Sequence, residues 1–217
     1  MFITSIYLTM TTIKSSPIAL AILAMLYEAP MHPYRMQQLI KERGKDEVIN
    51  VTQRASLYQT VNRLEREGLI AAQGVSRDEN RPERTVYELS PAGRAIMLQW
   101  MREILSTPSQ EFPDFPAAIS FLPLLTPDDA RQHLEQRAVA LQAEIDRIEQ
   151  NLRHAIAMPV PRLFLLEMEY LSATYGTQLV WVRAITADLQ SGKLTWSEAW
   201  LRQIAMELSQ PSEHTSS

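Results

Sequence analysis

The stretch from Asn50 to Ile70, NVTQRASLYQTVNRLEREGLI, limits what this chain can become more than any other. Leu57, Val61 and Leu64 stand four and three residues apart, with Leu69 and Ile70 beyond, so a helix here gathers its apolar side chains on one face and must bury it. The opposite face carries Ser56, Gln59, Asn62, Arg63 and Arg66. Arg matches guanine O6 and N7, Gln and Asn match adenine N6 and N7, and Ser suits phosphate or base, so that face is equipped to read the major groove of DNA. For the helix taken alone, an ordinary solvated face of Arg and Gln is the plainer alternative.

The residues after the helix narrow the choice. Gly68 stands where a helix terminates, and Leu69-Ile70-Ala71-Ala72 begins an extended run. Gly74 to Glu83 is too polar to pack a core and reads as a loop, and Arg84 to Leu89 alternates again as a strand. Helix, strand, basic loop and returning strand is the order of a winged helix-turn-helix, in which the second helix of the turn enters the major groove and the hairpin touches backbone or minor groove.

Two more helices precede this unit and one follows it. Ser16-Pro17 caps a largely apolar helix that Ala29 to Pro33 breaks, and Tyr34 to Arg43 forms a second, ending at Gly44. Ser90-Pro91 opens a connecting helix through Trp100 to Leu105, and the proline-rich Ser106 to Pro116 reads as a domain boundary. Ala117 to Leu125 is a short apolar segment, after which Thr126-Pro127-Asp128-Asp129 caps the most regular helix of the chain. Leu134, Ala138, Leu141, Ile145, Ile148, Leu152 and Ala155 alternate spacings of four and three, the pattern of a coiled coil. Pro159 and Pro161 end it, a third long helix is expected over Arg162 to Gln190, Trp196 and Trp200 follow, and the tail from Ser209 has the composition of a disordered segment. The expected fold class is mainly α: a winged helix-turn-helix of three helices and a two-stranded wing with its connecting helix (residues 16–105), then an all-helical, coiled-coil-like dimerisation domain (residues 117–205).

SLYQTVNRLEREGLI, the later RPERTVYELSPAG and His32-Pro33-Tyr34 resemble the signature of the PadR transcriptional regulators, bacterial winged-helix repressors. FPAAISFLPLLTPDDA, the long helix after it, EMEYLSATYG and SGKLTW resemble the larger PadR subfamily, so the likeness runs through nearly all of the chain after Ser15. One departure is Pro33, where the family usually has Gly before the Tyr of the second helix; proline fits a helix at its first turn. The resemblance implies a homodimeric, sequence-specific DNA-binding regulator on double-stranded operator DNA. Tyr34, Arg54, Ser56, Tyr58, Gln59, Arg63, Arg66, Arg81 and Arg84 are the expected DNA contacts. Leu134, Leu141, Ile145, Ile148 and Leu152 are the expected dimer contacts, so that Leu141→Glu with Ile148→Glu should yield monomer.

Composition removes other classes. No nucleophile elbow, phosphate-binding glycine loop or dinucleotide fingerprint occurs, so no enzyme and no cofactor is expected. There are no cysteines, and His32, His133, His154 and His214 lie too far apart in sequence for a ligand motif, so no metal is expected. A reducing cytoplasm is the simplest compartment. Residues 1–15 have neither the basic start nor the cleavage site of a signal peptide, Met10 is an alternative start, and no run of about 20 apolar residues could span a membrane. A small-molecule effector stays open: Met168, Tyr170, Tyr175 and Trp181 suit a pocket, but such a stripe is more often core. A winged module that binds protein instead of DNA is the rival reading, and arginines at positions 63, 66, 81 and 84 weigh against it.

The net charge of −4 divides unevenly. Residues 1–102 hold 13 Lys and Arg against 10 Asp and Glu, and residues 103–217 hold 8 against 15, so the winged half is positive and the other strongly negative. DNA affinity is therefore expected to reside in residues 16–105 and to fall steeply between low and moderate salt in a gel shift, because counterion release supplies most phosphate-driven binding. Affinity that is flat with salt contradicts it.

Overall fold

The computed structural model describes residues 14–51, 54–76, 84–157 and 159–209. The expectations for residues 1–9, for Arg81 and for the tail beyond Ser209 lie outside these. The chain divides between Gln110 and Glu111 into two compact units, each with its own core.

The first unit runs α1 (Pro17–Glu28), α2 (Pro33–Glu42), a 3-10 turn (Lys45–Glu47), α3 (Arg54–Arg66), β1 (Ile70–Ser76), β2 (Arg84–Leu89) and α4 (Pro91–Ser106). Three of its helices open on one device, a side chain that accepts an amide of the first turn followed by proline, which has no amide to leave unpaired. Ser16 Oγ accepts from Ala19 N at 3.2 Å, His32 Nδ1 from Arg35 N at 3.0 Å, and Ser90 Oγ from Gly93 N at 3.0 Å. Pro33 is thus the first residue of α2, in the place where its ring costs nothing.

Ile22, Leu23, Met36, Ile40, Leu57, Val61 and Leu64 bring α1, α2 and α3 onto one core, which Met97 and Trp100 of α4 complete. The helix α3 ends at Gly68, whose positive φ of 70° suits a residue without Cβ, and Leu69 N donates to Leu64 O at 2.9 Å across that turn. The strands β1 and β2 pair antiparallel with a bulge between Ala72 and Gly74, and Met31 bridges to Tyr87 as a one-residue third strand.

The second unit comprises α5 (Asp114–Ser120), a 3-10 turn (Leu122–Leu124), α6 (Pro127–Ile156), a 3-10 turn (Arg162–Phe164), α7 (Leu166–Gln190) and α8 (Glu198–Ser209). The third long helix begins later than expected, because a 3-10 turn closes at Leu165 first. The helix α8 is not among the expected elements; Ser197 Oγ caps it by accepting from Trp200 N at 3.2 Å.

Thr126 caps α6 as expected, and the four-and-three stripe forms. Leu134, Leu141 and Ile145 pack with Leu179, Val182 and Leu189 of α7 in the same chain, Ile148 is buried too, and Leu152 is half-buried. Leu134, Leu141 and Ile145 thus have apolar neighbours within the chain, and a heptad stripe requires an apolar helix opposite it without stating which chain supplies it. Leu141→Glu with Ile148→Glu is accordingly expected to unfold the second unit and not to release a folded monomer. Leu141→Ala alone should cost about 2–5 kcal/mol. Circular dichroism melts beside sedimentation check this, and a folded, monomeric double variant contradicts it.

Candidate nucleic-acid interface

With Leu57, Thr60, Val61 and Leu64 turned inward, α3 has one orientation open to it. Thr60, the polar member of that face, is satisfied by donating from Oγ1 to Ser56 O at 2.8 Å. Turned outward are Ala55, Tyr58, Gln59, Asn62 and Arg66, all exposed. Ala55, Gln59, Asn62 and Arg66 follow one another at four, three and four residues and so form a single strip along the helix. Among the described residues none of the side chains of Tyr58, Gln59, Asn62 and Arg66 is engaged in a hydrogen bond or ion pair. Sequence reasoning missed Ala55; extending the Gln59–Asn62 strip one turn toward the start of the helix finds it.

Arg63 is not brought to this strip. It lies on the flank, where its guanidinium donates to Lys14 O at 3.1 Å and stands 3.6 Å from Glu67 Oε1. Its side chain is 27% exposed, and Glu67 Oε2, on the same carboxylate, is buried without a hydrogen-bond partner. Moving Arg63 outward would leave that carboxylate further uncompensated. Ser56 also stands on this flank and is half-buried.

The remaining expected contacts are spread around α3. Tyr34, in the first turn of α2, is half-buried, and its ring stacks on His32 with centroids 6.2 Å apart. Arg54 is the first residue of α3 and Arg84 the first of β2, opposite Ser76; their side chains lie outside the described residues, as does all of Arg81. The wing is braced on α3 by Tyr87, whose buried ring carries a hydroxyl 3.5 Å from Glu65 Oε2. Burial, then the Glu65 charge, push that hydroxyl's pKa up, so it stays protonated and donates.

Two arginines elsewhere in the unit are paired with acids. Arg43 grips Glu28 through two contacts of 2.7 Å, tying α2 to α1 and drawing the Glu28 carboxyl below its usual range, chiefly through that hydrogen bond. Arg35 pairs with Glu42 at 2.9 Å. Arg66 is the cation on the strip. Among the described residues no cluster of three or more His, Cys, Asp or Glu could hold a metal ion, and no helix is long and apolar enough to cross a membrane.

The stretch from α1 to α4 that carries this strip and its wing, residues 22–99, matches the model described as the transcriptional regulator PadR-like family. Residues 22–99 belong to the PadR-like family of transcriptional regulators. Solved structures share the fold over most of the chain. Bacillus subtilis PadR in complex with operator DNA is 16% identical with a TM-score of 0.66, covering 82% of this chain and 99% of that one. The same protein in complex with p-coumaric acid gives 16% and 0.63, covering 80% and 98%. The Vibrio cholerae virulence activator AphA gives 15% and 0.60, covering 80% and 98%. No curated protein sequence matches the chain. The PadR-like segment contains α3 and both wing strands, so the fold class is a winged helix-turn-helix followed by a helical unit.

Proposed function

We propose that this PadR-like regulator binds DNA sequence-specifically as a homodimer on an inverted-repeat operator, acting as a ligand-responsive repressor in the cytoplasm, where the chromosome lies. The observation that carries the reading is the unengaged strip Ala55, Gln59, Asn62 and Arg66 on the outward face of α3. Gln59 and Asn62 suit adenine, Arg66 suits guanine or a phosphate, and the methyl of Ala55 lets the helix approach closely and meets a thymine methyl. Tyr34, Arg54, Ser56, Tyr58, Arg81 and Arg84 serve as flanking contacts to the backbone, and Arg63 sets the pitch of the helix from the side. Residues 16–105 supply the DNA contacts and residues 117–205 the assembly and the response.

The dimer reading draws support from the second unit's surface. Val139 and Val180 are each more than 70% exposed, and Trp200, Met206 and Leu208 stand out on α8, which buries none of its residues within the chain. These side chains are apolar surface open to a partner chain. Two chains would set two reading helices about 34 Å apart, one turn of DNA.

Selection from randomised duplexes, followed by titration of single variants, tests the assignment. Gln59→Ala and Asn62→Ala are each expected to cost about 1–3 kcal/mol and to relax one position per half-site. Arg84→Ala should weaken all sequences alike and lower the salt slope by about one unit, and Arg63→Ala should leave base preference unchanged. If neither Gln59→Ala nor Asn62→Ala alters preference, α3 does not read the groove. If no duplex is bound, the protein-binding module takes its place.

A further inference from the structure

The outward strip of α3 presents two carboxamides, Gln59 and Asn62, three residues apart and so about 4.5 Å apart along the helix axis. Both are exposed, and among the described residues neither side chain is engaged in a hydrogen bond or ion pair. The helix that carries them is held on every other side. Leu57, Val61 and Leu64 are buried beneath it. On one flank Arg63 donates to Lys14 O at 3.1 Å, and on the other Glu65 Oε2 stands 3.5 Å from the Tyr87 hydroxyl. At its end Leu69 N donates to Leu64 O at 2.9 Å. With α3 braced in this way, adjustment to whatever lies opposite the strip falls to the side chains alone. Asn62 has one methylene between backbone and amide, and Gln59 has two.

A carboxamide grips adenine in the major groove through two bonds: its oxygen accepts from the N6 amino group and its nitrogen donates to N7. One N6 hydrogen pairs with thymine, which leaves a single N6 hydrogen facing the groove. Methylation of N6 puts a carbon in place of that hydrogen. The donor is lost, the methyl occupies the space of the carboxamide oxygen, and that oxygen is left unpaired where water is excluded. We infer that this regulator senses the methylation state of adenine in its operator: it holds half-sites whose adenines carry an unmodified N6 amino group and is displaced from the same half-sites once N6 is methylated. The short Asn62 makes the stricter contact, and the longer Gln59 the more forgiving one. The inference rests on the groove reading of α3 proposed above and adds to it a form of control carried by the DNA.

The test uses the full chain and the duplex recovered from a randomised pool, synthesised with adenine or N6-methyladenine at one chosen position per half-site, and reads affinity by fluorescence anisotropy. Methylation of the adenine for which Asn62→Ala relaxes preference is expected to weaken binding on the order of tenfold. Methylation of the adenine set by Gln59 should weaken it less, and methylation outside the half-sites should leave it unchanged. In Asn62→Ala the unmodified and methylated duplexes should bind about equally, because the contact that tells them apart is gone; Asn62 is exposed, so the core is untouched. Equal affinity of the unaltered protein for the two duplexes overturns the inference and leaves the groove reading standing. So does a loss that persists in Asn62→Ala, since the methyl then acts through the duplex and not through the carboxamide. If neither Asn62→Ala nor Gln59→Ala changes the preference for an adenine, the groove reading itself fails and this inference falls with it.

Discussion

Where α3 ends and α4 begins, the chain is fastened to itself over a few ångströms, and the geometry of the reading surface depends on that joint. Ser90 Oγ donates to Gly68 O at 2.7 Å while accepting from Gly93 N, and Ser90 N donates to Leu69 O at 3.1 Å. Gly93 lies so close that a Cβ there would overlap the Leu69 carbonyl. The carbonyls left over by the end of α3 thereby become acceptors for the start of α4. Because β1 and β2 span the same two residues, from Leu69 to Ser90, the joint sets the angle between α3 and the wing. Tyr87 then holds the wing along its length, and Arg43 with Glu28 holds the far side, where α2 meets α1.

Much of this was legible in the sequence because the signals are local. The Ser-Pro and Thr-Pro pairs at 16, 90 and 126 need no partner outside their own first turn, and the spacing of Leu57, Val61 and Leu64 fixes which side of α3 is buried to within a fraction of a turn. What stayed hidden depends on residues distant in the chain. Arg63 lies close enough to the outward face to pass for a reader by periodicity alone; what draws it aside is a carbonyl 49 positions earlier. The seat of Arg137 is likewise invisible, since Phe115 of α5 and Gln178 of α7 come to that guanidinium from different helices. The helix α8 was missed for a different reason: it opens on Ser197 without a proline and follows a glycine turn, so its cap is weaker as a written signal.

The long stripe of α6 shows how a local reading fixes a face without fixing what covers it. Its periodicity specifies a helix and an apolar face; the choice between a neighbour in the same chain and one in another is made by whether the chain can turn back, which depends on the prolines at 159 and 161 and the length of α7. Here α7 returns along α6 and packs on Leu134, Leu141 and Ile145 of the stripe.

That packing has a quantitative consequence. A chain whose longest apolar seam is closed internally has a core of its own before it meets another chain, so pairing between chains becomes a separate, concentration-dependent equilibrium resting on whatever surface remains. For a regulator that occupies its site only in pairs, site occupancy then climbs faster than in proportion to the number of chains while those chains are mostly single. A modest change in synthesis would then act more than proportionally, and the concentration at which it does so would be set by exposed apolar side chains of the second unit such as Val139, Val180 and Leu208.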